Sequence, residues 1–258
     1  MTELFSVDGK TVLVTGGSRG IGLMIAQGLV RAGATVLISS RKAEVCQRVA
    51  EELSREGNCV AIPADLSRDA GVTQLAAAVR EHTDRLDVLV NNAGATWGAA
   101  LEEYPESAFD KLWAVNVKAV FRLTTALLPV LRAAAAADAP ARVINIGSVD
   151  GLRVPEMEVY AYSATKAAVH MLTRSLAHRL AGEQITVNAI APGPFESKMM
   201  AFALDDPGSR AAIEQQIPLG RIGRPEDMVG ATIFLASRAG AYLTGAVIPV
   251  DGGLTTHG

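Results

Sequence analysis

The chain has 258 residues, a formal charge of −3 at pH 7 and an apolar share of 49%. That length fills one large α/β domain with a full core, and Lys and Arg scattered through a near-neutral chain leave no electrostatic footprint for nucleic acid. Met1-Thr2-Glu3-Leu4-Phe5 lacks the basic and apolar regions of a signal peptide, and the oiliest stretch, residues 126–137, carries Pro129 and Arg132, so a cytoplasmic protein without a membrane span is expected.

Short β-branched runs at 10–14, 35–39, 58–62, 86–91, 141–146, 184–190 and 246–250 alternate with helical patterns at 21–32, 42–56, 69–83, 105–134, 160–180 and 225–236. Each parallel crossover needs a helix, so the alternation predicts an α/β doubly wound parallel sheet of seven strands with helices on both faces. The strands read as nearly continuous apolar runs, as strands buried on both faces do. No linker, repeat or compositional shift divides residues 1–258, which predicts a single domain. Cys46 and Cys59 have neither CxxC nor metal-ligand spacing; packed thiols and no metal site are expected.

The first strand runs into Thr15-Gly16-Gly17-Ser18-Arg19-Gly20-Ile21-Gly22, and a helix opens at once. Glycines allow a tight turn and close approach to a pyrophosphate, whose charge meets free N–H groups and the positive end of the helix. The spacing is GxxxGxG instead of GxGxxG, and two other motifs compete. Gly9-Lys10-Thr11 resembles the end of a Walker A loop, but Leu4 stands where its first glycine must be. Gly16-Gly17-Ser18-Arg19-Gly20 fits the GxSxG nucleophile elbow, yet a hydrolase needs a later acid and histidine. His170 and His178 fall mid-helix, leaving only His257 near the end. A dinucleotide-binding turn is the stronger reading.

An enzyme selecting NAD commonly carries an acid after the second strand for the ribose hydroxyls. Here Ser39-Ser40-Arg41-Lys42 has none before Glu44, while Arg41 and Arg19 have the fork geometry to clamp a 2′-phosphate, with Ser40 as a further donor. NADP is therefore expected over NAD. Asp65, in Ala64-Asp65-Leu66-Ser67 after the third strand, is placed to accept the adenine amino group; a helix N-cap at Asp65 or Ser67 is an equally good local reading. Small residues in Asn91-Asn92-Ala93-Gly94 permit close approach of a ligand or a neighbouring strand. Asn116, polar in a mostly apolar helix, is either a satisfied core amide or the holder of a water beside the site.

Ser148 follows the fifth strand at the carboxyl edge of the sheet, where open parallel sheets bind ligands. Tyr162 and Lys166 lie four apart on the next helix and share a face. An ammonium so placed lowers a phenol's pKa from its usual value of about 10, which suits Tyr162 as proton donor to a developing alkoxide.

Taken together and in order, Thr15-Gly16-xxx-Gly20-x-Gly22, Asp65, Asn91-Asn92-Ala93-Gly94, Asn116, Ser148, Tyr162-xxx-Lys166 and Pro192-Gly193 resemble the short-chain dehydrogenase/reductase family over nearly the whole chain. The resemblance implies a Rossmann-like fold and an NADP-linked oxidoreductase. It implies Tyr162 as general acid/base, Ser148 as donor to the substrate oxygen, Lys166 on the nicotinamide ribose and Asn116 as the residue positioning a relay water. It further implies a cofactor cradle of Gly16, Ser18, Arg19, Gly20, Ile21, Gly22, Ser40, Arg41, Asp65, Leu66, Asn92, Ala93, Gly94, Tyr162, Lys166, Pro192, Gly193 and Ser197, the last replacing the family's usual threonine. Residues 194–220 are expected as a substrate lid. Within it Met199, Met200 and Phe202 would line an acyl channel or be ordinary core, with Trp97 at the rim. In many members the last strand and the helices bearing Asn116 and Tyr162 build a tetramer, and Ala164, Ala167, Ala168 and Met171 offer a small-residue face for such packing.

Gly147-Ser148-Val149 and Thr96-Trp97-Gly98-Ala99-Ala100-Leu101 are most similar to bacterial 3-oxoacyl-acyl-carrier-protein reductases linked to rhamnolipid precursors. This implies reduction of a 3-oxoacyl thioester by NADPH, with an acyl-carrier protein as a candidate partner. Glu183 and Asp138-Ala139, however, stand where carrier-docking members have basic residues, a poor surface for an acidic partner; Arg132, Arg142 and Arg153 are the available substitutes. A CoA thioester, free ketone, sugar acid or steroid stays open as substrate. Intact Ser148, Tyr162 and Lys166 argue against a non-catalytic dinucleotide sensor.

Overall fold

The structure, a computed structural model, describes residues 2–197, 200 and 205–256. Its strands are β1 (Thr11–Thr15), β2 (Thr35–Ser39), β3 (Cys59–Ala61), β4 (Val88–Asn91), β5 (Ala141–Ile146), β6 (Ile185–Pro192) and β7 (Val247–Val250). The helices are α1 (Gly20–Arg31), α2 (Ala43–Leu53), α3 (Asp69–His82), α4 (Glu106–Trp113), α5 (Ala119–Ala134), α6 (Tyr160–Leu180), α7 (Pro207–Gln216) and α8 (Pro225–Ala236). All seven strands pair in parallel, in the order β3-β2-β1-β4-β5-β6-β7. The order reverses between β1 and β4, so the switch point, where such sheets open a crevice, lies between the glycine turn and residues 92–94.

Successive strand side chains leave opposite faces of the sheet, and both faces are dry. Val12 and Val14 of β1 join Val36, Ile144 and Ile190 against Ile25 and Leu29 of α1 and Met228 and Leu235 of α8. Leu13, between them, joins Leu89, Val143 and Val187 under Leu75 of α3 and Leu123, Leu127 and Leu131 of α5. A smaller cluster, Val149, Ile217, Ile222 and Leu254 with Met200 and Ile213, fastens α7 and the chain's last turn to the segment after Ser148.

The strands fall within two residues of their expected ends, and two helical features depart from the sequence expectation. The single helix expected at 105–134 is α4 and α5 joined by a π-helical turn, Ala114–Lys118, with Asn116 at its centre. Such a turn inserts one extra residue into the helix and is frequent at functional sites. The continuous run Glu106–Ala134 is also long and apolar enough to cross a bilayer, although its interrupted composition pointed away from that. In the fold its buried stripe covers the sheet, as the core helix of a two-faced layer does. The second departure is α7, which lies in the expected lid. Asp206 accepts from the Ser209 N–H at 2.7 Å and Pro207 takes the first turn, a complete N-terminal signal on a helix with no buried residue.

Candidate active site

The glycine turn is held open by side chains beneath it. Thr15 Oγ1 accepts from the N–H groups of Asn92 and Ala93, each at 3.0 Å, and Asn92 Nδ2 donates to the Thr15 carbonyl at 2.8 Å. These bonds join the ends of β1 and β4 on the two sides of the switch point. Gly16 has φ +68°, and a Cβ there would stand 2.7 Å from Asn92 Nδ2 and 3.1 Å from Ala93 Cα. Gly20 has φ +52° and opens α1, whose N-cap Arg19 makes no side-chain cap bond. The orphan donors of the first helical turn are thus left for an anionic ligand, and the positive end of the helix favours one. Ser18 and Gly22 are buried behind the turn, Ile21 is partly buried, and Ser197 closes the turn from the far side, its Cβ 3.2 Å from where a Gly20 Cβ would be.

At the other end of the crevice, Arg19 and Arg41 are exposed and the Ser40 hydroxyl is buried without a hydrogen-bond partner among the described residues. An unsatisfied buried donor at the end of β2 fits a ligand that supplies its acceptor. Asp65 forms a local turn, its Oδ1 accepting from Ser67 N at 3.1 Å and Ser67 Oγ at 2.7 Å. The N-cap of α3 is Arg68, so neither Asp65 nor Ser67 caps that helix. Ser67, together with Arg41 and Arg68, holds the Asp65 carboxyl below its usual range, and Leu66 beside it is buried. Gly94 is exposed next to partly buried Ala93; Pro192 and Gly193 end β6, with the Gly193 N–H donating to Val250 at 3.0 Å.

Ser148, Tyr162 and Lys166 converge as their spacing implied. Ser148 N-caps a short turn, Val149–Gly151, its Oγ accepting from Asp150 N–H at 3.1 Å. Tyr162 lies in the first turn of α6, near enough to Ser148 for that hydroxyl to favour its ionised form. One helical turn on, the Lys166 ammonium sits 5.5 Å from the centroid of the Tyr162 ring and donates to the Ile146 carbonyl at 2.8 Å. The titration behaviour differs from the expectation of a lowered phenol. Burial pushes Tyr162 up to about 12, with Asp150 adding to the rise and Ser148 opposing it. Burial likewise pulls Lys166 down to about 8, against the Asp150 carboxylate. Desolvation decides both shifts, and at Tyr162 it is the Ser148 hydroxyl, not the Lys166 cation, that opposes it.

Of the two readings of Asn116, its side chain takes the satisfied amide. Asn116 is 2% exposed; Oδ1 accepts from Ala95 N at 2.9 Å, and Nδ2 donates to Ala95 O at 3.0 Å and Thr165 Oγ1 at 2.9 Å. Thr165 in turn donates to the Tyr162 carbonyl at 2.8 Å, so one chain of bonds ties the β4 loop, the π turn and α6. A second buried chain runs Asn91–Asn145–Thr173 at 2.9 Å per link under the same crevice. Thr165, Asn145 and Asp150 escaped the sequence reading because nothing in their spacing separates them from ordinary helix and strand polar positions.

The outer wall is aromatic. The Tyr104 hydroxyl donates to Trp97 O at 3.1 Å and accepts from Ala161 N at 3.2 Å, and its ring meets Tyr160 edge-on. Trp97 stays exposed at the rim with Lys111 over it. Met200 packs in the small cluster beside Ile213. Met199, Phe202 and His257 lie outside the described residues.

A parallel sheet opened by a glycine turn and an uncapped helix, with a serine, a tyrosine and a lysine gathered across the crevice, defines a dinucleotide-binding oxidoreductase. Comparison with known proteins carries this further: residues 16–255 match the family model described as enoyl-(acyl carrier protein) reductase. The chain belongs to the short-chain dehydrogenase/reductase family. It is 55% identical over 253 residues to the rhamnolipids biosynthesis 3-oxoacyl-[acyl-carrier-protein] reductase of Pseudomonas aeruginosa, covering 98% of this chain and 99% of that one. It is 34% identical over 255 residues to the 5-keto-D-gluconate 5-reductase of Escherichia coli, covering 98% of each. The solved Pseudomonas aeruginosa RhlG/NADP active-site complex superposes with a TM-score of 0.96 at 55% identity, over 99% of this chain and 100% of that one.

Proposed function

We propose that the protein reduces a 3-oxoacyl thioester to its 3-hydroxyacyl product at the expense of NADPH. The convergence of Ser148, Tyr162 and Lys166 beside an anion-ready glycine turn carries this reading, and the 3-oxoacyl reductase at 55% identity supports the substrate class. Gly16, Ser18, Arg19, Gly20, Ile21 and Gly22 would hold the pyrophosphate; Ser40, Arg41 and Arg19 the 2′-phosphate; Asp65 and Leu66 the adenine. Asn92, Ala93, Gly94, Pro192, Gly193, Ser197, Tyr162 and Lys166 would line the nicotinamide end. NADPH, when bound, supplies the hydride for the ketone carbon. Ser148 donates to the carbonyl oxygen, Tyr162 transfers its phenolic proton to the alkoxide as charge develops, and the Lys166 cation favours the resulting phenolate. The Asn116 amide is committed to Ala95 and Thr165, so its part in a water relay falls to its main chain.

NADPH oxidation, followed with acetoacetyl-CoA, a 3-oxoacyl carrier thioester and a panel of keto sugar acids and simple ketones, tests the reading. Preference for a thioester is expected. Preference for a keto sugar acid would move the enzyme towards its 34% identical relative, the second reading. An acyl-carrier protein is the less favoured carrier, because Arg132 is already paired with Glu183 at 2.6 Å. The expected lid at 194–220 is supported in its described part by α7, where Arg210 pairs with Glu196 at 2.7 Å and Gln216 donates to Glu156 at 3.1 Å. We take the protein to be a cytoplasmic homotetramer; the assembly is supported by Phe109, Trp113, Phe121 and Met171, exposed along α4 to α6, and by the exposed small residues Ala164 and Ala167 of α6. Size-exclusion with light scattering checks the assembly; a monomer would reject it.

A further inference from the structure

His170 lies one turn past Lys166 on α6 and takes no part in the chemistry above. It is 3% exposed, neither ring nitrogen makes a well-formed hydrogen bond among the described residues, and the Gly151 backbone is the one polar group the ring approaches. An imidazole with both nitrogens buried and unsatisfied costs stability, so its retention calls for a reason. The reason is visible in what the ring touches. A methyl group on Gly147 would overlap its Nε2, and one on Gly151 would come within 2.9 Å of its Cε1 and 2.7 Å of the Ala167 backbone nitrogen. Those two glycines bracket Ser148, and neither has a positive φ, so backbone conformation does not demand glycine at either place. At Gly147 the ring demands it, and at Gly151 the α6 backbone does so together with the ring. The flat imidazole fills the slot that the missing side chains leave, and the turn carrying Ser148 rests on it.

We propose that His170 is a positioning residue: wedged between the Gly147 and Gly151 backbones, it sets the distance from the Ser148 hydroxyl to the Tyr162 phenol. This rests on the reductase reading for its kinetic consequence but not for its geometry. The ring must also be neutral to serve. Burial, the Lys166 ammonium and the Arg174 guanidinium oppose a positive charge on it, against the Gly151 backbone, while Asp150, on the segment packed against α6, faces Arg153 and Lys166. A misplacement of a few tenths of an ångström at Ser148 weakens its hydrogen bond to the developing alkoxide and leaves ground-state binding of substrate and cofactor nearly unchanged.

A double-mutant cycle at the two contacting positions tests the wedge, with kcat, the KM for ketone and the Kd for NADPH measured for each protein. Gly147→Ala is expected to lower kcat at least tenfold with both binding constants within twofold. His170→Ala, which leaves the turn unsupported, is expected to lower kcat at least fivefold in the same pattern. Gly147→Ala combined with His170→Ala is expected to recover most of the Gly147→Ala loss, since the added methyl then has room. Losses that multiply, or a fall in NADPH affinity matching the fall in kcat, overturn the proposal. Labelled-histidine NMR supplies a readout free of turnover, with His170→Ala assigning the resonance. In the folded wild type the His170 ring is expected to stay neutral at pH 5.5 and its resonance to move in Gly147→Ala. A resonance that titrates normally and ignores that substitution defeats the wedge, whereas a wild type inert towards every ketone defeats the reductase reading alone.

Discussion

Replacing Asn116 by Ala removes three buried hydrogen bonds at once: Ala95 N and O lose their partners, and Thr165 Oγ1 loses its donor. Each bond contributes about 1 kcal/mol net, and a group left buried without a partner costs about 1–3 kcal/mol. Thr165 keeps its bond to the Tyr162 carbonyl and the β4 loop is partly open to water, so the penalties fall at the low end. The expected loss is about 3–4 kcal/mol, large against a typical domain stability of about 5–15 kcal/mol. Urea unfolding followed by circular dichroism measures it, with the midpoint falling and the slope unchanged. Turnover should drop with it, because the loop and the catalytic helix lose the tie that aligns them. A loss below about 1 kcal/mol with full activity would refute the reasoning and return Asn116 to the status of an incidental polar residue.

Arg41→Ala should raise the Kd for NADPH at least tenfold and that for NADH less than threefold, by fluorescence titration; equal effects would remove Arg41 from the 2′-phosphate. Gly16→Ala should cut NADPH affinity at least tenfold, since its positive φ disfavours a side chain and the added methyl meets Asn92 and Ala93. Acid should weaken the fold through His170, which burial and the Lys166 charge push down to about 4 from an ordinary value near 6.5. A base with a depressed folded-state pKa contributes stability that is complete above pH 6.5 and lost as pH falls through about 4, some 3 kcal/mol in all. Denaturation of wild type and His170→Gln across that window isolates the effect; parallel pH curves would show that the imidazole does not carry it.

The sheet was legible because each doubly buried strand is an unbroken apolar run, and the glycine turn and the Tyr162–Lys166 spacing needed only chain order to be placed. What stayed hidden has physical causes. A π turn leaves no trace in apolar periodicity over 105–134, so the joint at Asn116 read as plain helix. The α7 helix has no fully buried residue and packs mainly through Ile213, yet Asp206-Pro207 was a usable start signal. The rise in the Tyr162 pKa followed from burial, which sequence conceals, while the Lys166 ammonium that was in plain view does not offset it. Gly147 looked like any small turn residue until His170 was found against it.

Single-turnover oxidation of NADPH by Tyr162→Phe with the preferred ketone tests proton donation by the phenol most directly. The variant should bind NADPH within threefold of wild type and reduce the ketone at least a thousandfold more slowly, since the ring remains and only the proton is gone. Turnover within tenfold of wild type would take the proton transfer away from Tyr162 and contradict the assignment.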